Sequence, residues 1–234
     1  MLRAITSAAA ALWLLSVSAS LGAAPATTGK EPASWTEGQH YFLITPAQPT
    51  SVPKGKIEVT EVFSYGCPAC NHFVPVMRKL KQSLPATAVV NFTPAGFNAA
   101  EDWPMFQRAY VTAQMLGIAD ATHEAMFDAV WTTGELAILD QSTGQLKARL
   151  PTIEDAARFY NRTTGVSASD FIDAARSMGA DTRIGQADGM LIRYQVSATP
   201  TMIINGKYRL DVLSAGGPDE LIELVKWLVA KESH

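Results

Sequence analysis

The order of hydrophobic and polar residues predicts strands near both ends of the chain and helices between them. Residues 57–64 form a β-branched and aromatic run that is typical of a strand, and Gly66 interrupts it. From Pro68 to about Ser83, apolar residues recur at helical spacing, with Pro75 at an expected kink. A strand is therefore expected to pass into a helix within a few residues of Gly66.

The middle of the chain has a helical pattern. Residues 99–194 predict about five consecutive helices and no strand, apart from residues 135–150, whose pattern is ambiguous. Asp181 is expected to begin one of these helices. Ser167 and Asp170 have the spacing of a capping box that would begin another. We interpret this part of the chain as an all-helical unit.

Strand character returns towards the carboxyl end of the chain. Residues 201–204 are expected to form a strand, and Asn205-Gly206 is a strong signal for a hairpin whose second arm is residues 207–210. A last helix is predicted from about Pro218. Strands and helices thus flank the helical block, which predicts an α/β fold interrupted by an inserted all-helical domain.

Residues 1–24 have the features of a secretory signal peptide. Arg3 supplies a positive start, residues 4–17 are apolar, and small residues follow at 18–26. The apolar run is too short for an ordinary membrane span. We therefore expect the mature protein to be exported to an oxidising compartment, where disulfides form and persist.

The charge balance is mildly acidic. The chain has 19 Lys and Arg against 22 Asp and Glu, a formal net charge of −3. This balance gives no electrostatic reason to expect nucleic acid or an anionic membrane as a partner. The length is sufficient for a hydrophobic core that needs no disulfide to stabilise it.

The only two cysteines, Cys67 and Cys70, lie at the predicted junction of strand and helix. Pro68 suits the first helical turn, so Cys67 is placed where unpaired backbone N–H groups and the helix dipole favour negative charge. That setting lowers the pKa of a thiol and stabilises its reactive thiolate. Cys70 follows about 300° around the helix, so the two sulfurs can bond to each other.

A lone Cys-x-x-Cys also occurs in zinc sites, haem-attachment sites and structural disulfides. Zinc needs two more ligands, and the four histidines are too scattered to supply them. Covalent haem attachment needs a histidine directly after the second cysteine, where this chain has Asn71. A disulfide across so short a loop contributes little stability. The strand–turn–helix setting favours a redox-active dithiol and no metal.

Two segments of the chain resemble the DsbA family of periplasmic thiol oxidases. Residues 63–70, Phe-Ser-Tyr-Gly-Cys-Pro-Ala-Cys, resemble the active-site segment of that family. Residues 196–208 resemble its cis-proline loop and the hairpin that follows. The resemblance implies a thioredoxin-like domain formed by residues 36–98 and 195–234, with a helical insertion domain at residues 99–194.

The resemblance gives Glu61 a role in the site. The family keeps an acidic residue six places before its first cysteine, below the disulfide, and Glu61 occupies that place. We expect Glu61 to be buried and to tune the redox pair or relay a proton. The family commonly pairs this acid with a lysine on the next strand, but residues 88–93 contain no lysine.

The resemblance also points to the residues beside the cysteines. It implies a cis peptide at Thr199-Pro200, whose backbone would pair with a substrate strand. Thr199 replaces the valine usual in the best-known members. Pro68 and Ala69 form the dipeptide between the cysteines, and the strongest oxidases of the family carry a histidine in place of Ala69.

The function implied is that of a periplasmic enzyme that donates its Cys67–Cys70 disulfide to newly exported, unfolded or partly folded polypeptides. A quinone-linked membrane oxidase of the DsbB type would then reoxidise it. We expect a monomer without metal or organic cofactor. One alternative is a disulfide isomerase or reductase, although isomerases of this superfamily usually carry an N-terminal dimerisation domain. The other is a peptide-binding chaperone that uses the Thr199-Pro200 groove.

Overall fold

The computed structural model describes residues 34–233, so the predicted signal peptide lies outside the described residues. Within that range the chain forms five strands and eight α-helices. In chain order these are β1 (Phe42–Leu43), β2 (Ile57–Phe63), α1 (Pro68–Ser83), β3 (Ala88–Pro94), α2 (Trp103–Met115), α3 (Ala119–Trp131), α4 (Ile153–Thr164), α5 (Ala168–Ala175), α6 (Met178–Arg193), β4 (Thr201–Ile204), β5 (Tyr208–Leu210), α7 (Val212–Ala215) and α8 (Pro218–Glu232). None of the described helices is long and apolar enough to cross a membrane.

The five strands form one mixed sheet in the order β1-β5-β4-β2-β3. Strand β2 pairs in parallel with β3 and antiparallel with β4, and all of its residues are buried. The β4–β5 hairpin turns at Asn205 and Gly206, which both have positive φ angles. A Cβ atom at Gly206 would lie 2.2 Å from the backbone oxygen of Gln48, so this turn requires glycine.

The two faces of β2 pack against different layers. Val59 lies in a core that includes side chains of α1 and α8, whereas Val62 packs with Leu191 and Tyr194 of the α6 region. A third core holds the helices from α2 to α5, and it includes Phe63, Tyr65, Cys67 and Cys70. The segment with the cysteines is thus packed into the helical core. The fold is the predicted thioredoxin-like α/β type, and its division into two domains stays a prediction.

One predicted helix start is wrong, and a second helix, α5, begins after Ser167 as predicted but without its capping box. Helix α6 begins at Met178 and not at Asp181, because the Ser177 hydroxyl accepts the Ala180 N–H at 3.2 Å and caps the helix earlier. The predicted capping box at Ser167 and Asp170 does not form, because the Ser167 hydroxyl bonds to the hydroxyl of Ser169 at 2.7 Å. Complete capping boxes occur instead at the starts of α4 and α7.

The ambiguous residues 135–150 form neither a helix nor a named strand. They form a loop with one antiparallel bridge between Leu139 and Leu146. Leu136 and Ile138 are buried in the same core as the helices from α2 to α5. The loop is therefore anchored by apolar side chains, although it has no regular period in the sequence.

Candidate functional site

Cys67 is the N-cap residue of α1, as the sequence predicts. Its backbone is extended, Pro68 occupies the first turn, and the Cys70 N–H donates to the Cys67 sulfur at 3.4 Å. Both cysteines are free thiols in the structure. Cys67 is 4% exposed and Cys70 is fully buried, so the first sulfur is the one nearer to solvent.

The two thiols have opposite pKa shifts. A hydrogen bond from Cys70, helped by the backbone N–H groups of Cys70 and Ala69, lowers the pKa of Cys67 to about 6. Burial raises the pKa of Cys70, and its bond to Cys67 raises it further. At neutral pH Cys67 is therefore the thiolate and Cys70 the protonated partner, which is the division of roles that thiol–disulfide exchange needs.

The loop before β4 brings Thr199 and Pro200 beside Cys67. The Thr199-Pro200 peptide is cis, as the resemblance implies. The Cys67 thiol donates to the backbone oxygen of Thr199 at 3.5 Å. The Thr199 hydroxyl oxygen is buried, and the Thr199 side chain helps to lower the pKa of Cys67. Two segments that are far apart in the sequence thus meet at the reactive sulfur.

An apolar groove of about 440 Å³ extends from this contact. Ala69, Phe73 and Val76 of α1 form one wall, and the Thr199-Pro200 loop with α7 forms the other. His72 lies exposed on the lining of the groove and not against the Cys67 sulfur. The groove reaches Thr199, whose backbone oxygen contacts the Cys67 sulfur, and its volume can hold apolar side chains of a peptide.

Glu61 lies on β2 and is 3% exposed, so its predicted burial is confirmed. Burial raises the pKa of the Glu61 carboxyl to about 8, the charge of Lys81 lowers it, and the charge of Cys67 raises it. Most of the carboxyl is therefore protonated at neutral pH.

The positive charge that acts on Glu61 belongs to Lys81 of α1, and the sequence analysis missed it. Strand β3 has no lysine, but Lys81 in the last turn of α1 places its ammonium 4.5 Å from the centre of the Phe92 ring. Phe92 is the β3 residue paired with Glu61. The only sequence signal for this arrangement is a basic residue at the end of the helix that leads into β3.

Comparison with known proteins extends these findings. The protein-family model described as Thioredoxin matches residues 52–224. The thiol:disulfide interchange protein DsbA of Pseudomonas syringae pv. tomato is 36% identical over 197 residues, which are 83% of either chain. The crystal structure of Pseudomonas aeruginosa DsbA is 33% identical, has a TM-score of 0.70 and covers 85% of this chain and 94% of its own.

A third structure is a Proteus mirabilis DsbA variant with a non-covalently bound peptide, PWATCDS. It is 21% identical, has a TM-score of 0.65 and covers 85% of this chain and 100% of its own, so it supports the fold alone. The family-model match spans the strand, the cysteine helix, the helical block and the proline loop. The chain therefore belongs to the DsbA family of thiol:disulfide oxidoreductases, which act through a redox-active pair of cysteines.

Proposed function

We propose that this oxidoreductase works as an oxidase that donates its Cys67–Cys70 disulfide to newly exported polypeptides in the periplasm. The observation that supports this direction most is the opposite shift of the two pKa values, down for Cys67 and up for Cys70. A stabilised Cys67 thiolate favours the reduced form of the protein. It thereby makes the disulfide a better oxidant.

The exchange proceeds in two displacements. A substrate thiolate attacks the Cys67 sulfur, a substrate–Cys67 disulfide forms, and the electron pair of the broken bond goes to Cys70. A second substrate thiolate then attacks the substrate sulfur of this mixed disulfide, and Cys67 leaves as a thiolate. The substrate loses two electrons and gains a disulfide, while the enzyme becomes a dithiol. A leaving group with a low pKa speeds the second step.

Glu61 is proposed to handle the proton of Cys70. The high pKa of Cys70 means that its sulfur must take up a proton when it leaves. Glu61 holds a proton at neutral pH, and once ionised its charge raises the pKa of Cys70, so it is suited to supply that proton and take it back on reoxidation.

Substrates are proposed to bind along the groove beside Cys67. The backbone of Thr199 offers an extended peptide hydrogen-bonding groups next to the sulfur, and the apolar wall of α1 can receive its side chains. The Proteus mirabilis protein of the same fold binds a peptide without a covalent bond. Pro68 and Ala69 are exposed at the same edge, where they can contact the substrate.

Reoxidation is proposed to come from a quinone-linked membrane protein of the DsbB type. The enzyme needs no metal or organic cofactor in this scheme, because the cysteine pair carries both electrons. The signal-like residues 1–24 support export, and the protein is proposed to act as a monomer.

The test is the oxidation of a reduced, unfolded model protein by a stoichiometric amount of the disulfide form. We expect one substrate disulfide for each Cys67–Cys70 disulfide consumed. With a model protein that already carries a disulfide, the Cys67 thiolate of Cys70→Ser should attack that bond, release one substrate thiolate and accumulate as a covalent adduct, and Cys67→Ser should form no such adduct. An adduct that forms through Cys70 alone would contradict the assignment of the nucleophile.

Two assays separate this function from its alternatives. An isomerase would restore activity to a protein with scrambled disulfides much faster than a small-molecule dithiol does. We do not expect this enzyme to show such an acceleration. A chaperone would suppress aggregation equally well after Cys67 and Cys70 are both replaced by serine. Loss of all activity in that double variant supports the oxidase.

A further inference from the structure

The turn between β2 and α1 sets the position of the nucleophile. This active-site turn consists of residues 64–66. The Cys67 N–H donates to the Ser64 carbonyl at 3.1 Å, and the Gly66 N–H donates to the Ser64 hydroxyl at 3.2 Å. These two bonds close the turn but leave its central residue, Tyr65, to be held from outside.

Helix α3 holds the backbone of Tyr65. The indole N–H of Trp131, the last residue of α3, donates to the Tyr65 carbonyl at 2.8 Å. This length is typical of a well-formed hydrogen bond. A side chain of the helical block is thus bonded to main chain that lies two residues before Cys67.

The same helix holds the side chain of Tyr65. The Tyr65 hydroxyl and Nδ1 of His123 are 3.0 Å apart, and both residues are buried. Burial lowers the pKa of His123 to about 3, so the imidazole is neutral. Phe63 packs edge-on against the imidazole at 4.7 Å, and Phe92 lies tilted against it at 4.1 Å. Because both residues are buried, removing one partner of this bond is costly for the polar group that stays behind.

The third residue of the turn is held by contact. A Cβ atom on Gly66 would lie 2.6 Å from Cδ1 of Trp103, which is closer than real Cβ contacts come. Trp103 is itself fixed, because its indole N–H donates to Glu101 at 3.1 Å. Side chains of the helical block therefore contact both Tyr65 and Gly66 of the active-site turn.

We propose that Trp131 and His123 are positioning residues that set the redox properties of Cys67 through the active-site turn. They act by keeping the Cys67 sulfur against the Cys70 N–H, which donates to it at 3.4 Å. A movement of the turn lengthens this contact. A thiolate with weaker contacts is less stable, and the disulfide becomes a weaker oxidant. The proposal rests on Cys67 being the reactive thiolate of the proposed function.

Trp131→Phe tests the first bond, because it keeps an aromatic ring and removes the N–H donor. Trp227→Phe is the matched control, since Trp227 lies on α8 and packs against Tyr41. We expect Trp131→Phe to raise the Cys67 pKa, measured by the pH dependence of alkylation. It should also shift the equilibrium with glutathione by about three- to tenfold towards the disulfide. Trp227→Phe should change neither quantity.

A double substitution tests the second bond. His123→Phe leaves the Tyr65 hydroxyl without its partner, whereas Tyr65→Phe with His123→Phe removes both polar groups. We expect the single variant to shift the glutathione equilibrium and the double variant to return it towards the wild-type value. If Trp131→Phe does not fold, this pair of variants decides the question.

A purely structural role would lower the melting temperature of the folded variants and leave the Cys67 pKa and the glutathione equilibrium unchanged, which would overturn the proposal. The pKa is measured on the dithiol without substrate. Failure of the oxidase function would instead appear in the wild-type protein, as an inability to oxidise a reduced polypeptide. The two failures are therefore distinguishable.

Discussion

At the scale of single residues, the stability of the Cys67 thiolate depends mainly on N–H and S–H donors. Cys70 provides the largest contribution, and the backbone of Ala69 adds to it. The exposed alanine side chain contributes no charge and no hydrogen bond. The position next to the nucleophile is thus open to a substitution that stabilises the thiolate further.

Ala69→His should make the enzyme more oxidising. A partly cationic imidazole beside the Cys67 sulfur stabilises the thiolate, so the Cys67 pKa should fall and the reduction potential should rise together. Titration of the thiolate absorbance and equilibration with glutathione measure the two quantities. Ala69→Gln is the neutral control. If the histidine variant moves neither value, the dipeptide does not govern the thiolate.

Glu61→Gln should change how stability depends on pH. The folded carboxyl has a pKa of about 8 against 4.5 for the ordinary group, so between these values the folded state binds more protons than the unfolded state. The wild-type free energy of unfolding should therefore fall relative to the variant by up to about 1.4 kcal/mol per pH unit over that window. Urea unfolding of the reduced protein at pH 5, 7 and 8.5 measures it. Parallel curves would mean that Glu61 ionises normally.

At the scale of the elements, helix α1 has the nucleophile Cys67 at its N-terminus and Lys81, the cation that acts on Glu61, in its last turn. The sequence defines β2, α1 and β4 to within a residue, because local periodicity and the glycine and proline signals suffice there. It does not reveal that Lys81 replaces the missing strand lysine. That contact depends on how α1 lies across β3, and no local pattern encodes this.

Lys81→Met should raise the pKa of Glu61 and move the pH dependence of thiol exchange upwards. The shift should stay below about one pH unit and shrink with added salt, because the ammonium is exposed and screened. Lys79→Met is the matched control on the same helix, where Lys79 lies 3.9 Å from Asp219. Equal profiles for the two variants would exclude Lys81 from the site.

At the scale of the whole molecule, the fold unites residues that the sequence keeps far apart. The order of strands and helices indicates an α/β fold with a helical block, and the resemblance to a family places Thr199 and Pro200 beside the cysteines. Residues 135–150 and the bonds from Trp131 and His123 to the active-site turn could not be predicted. They depend on contacts between residues far apart in the sequence, which local sequence patterns do not encode.

The reduction potential of the Cys67–Cys70 pair tests the central claim most directly. The protein would be equilibrated with glutathione buffers of graded ratio, and its thiol content measured after acid quenching. The account predicts a potential clearly above that of thioredoxin, which is about −270 mV, because Cys67 is stabilised as a thiolate in the reduced form. A potential at or below the thioredoxin value would contradict the oxidase and favour a reductase.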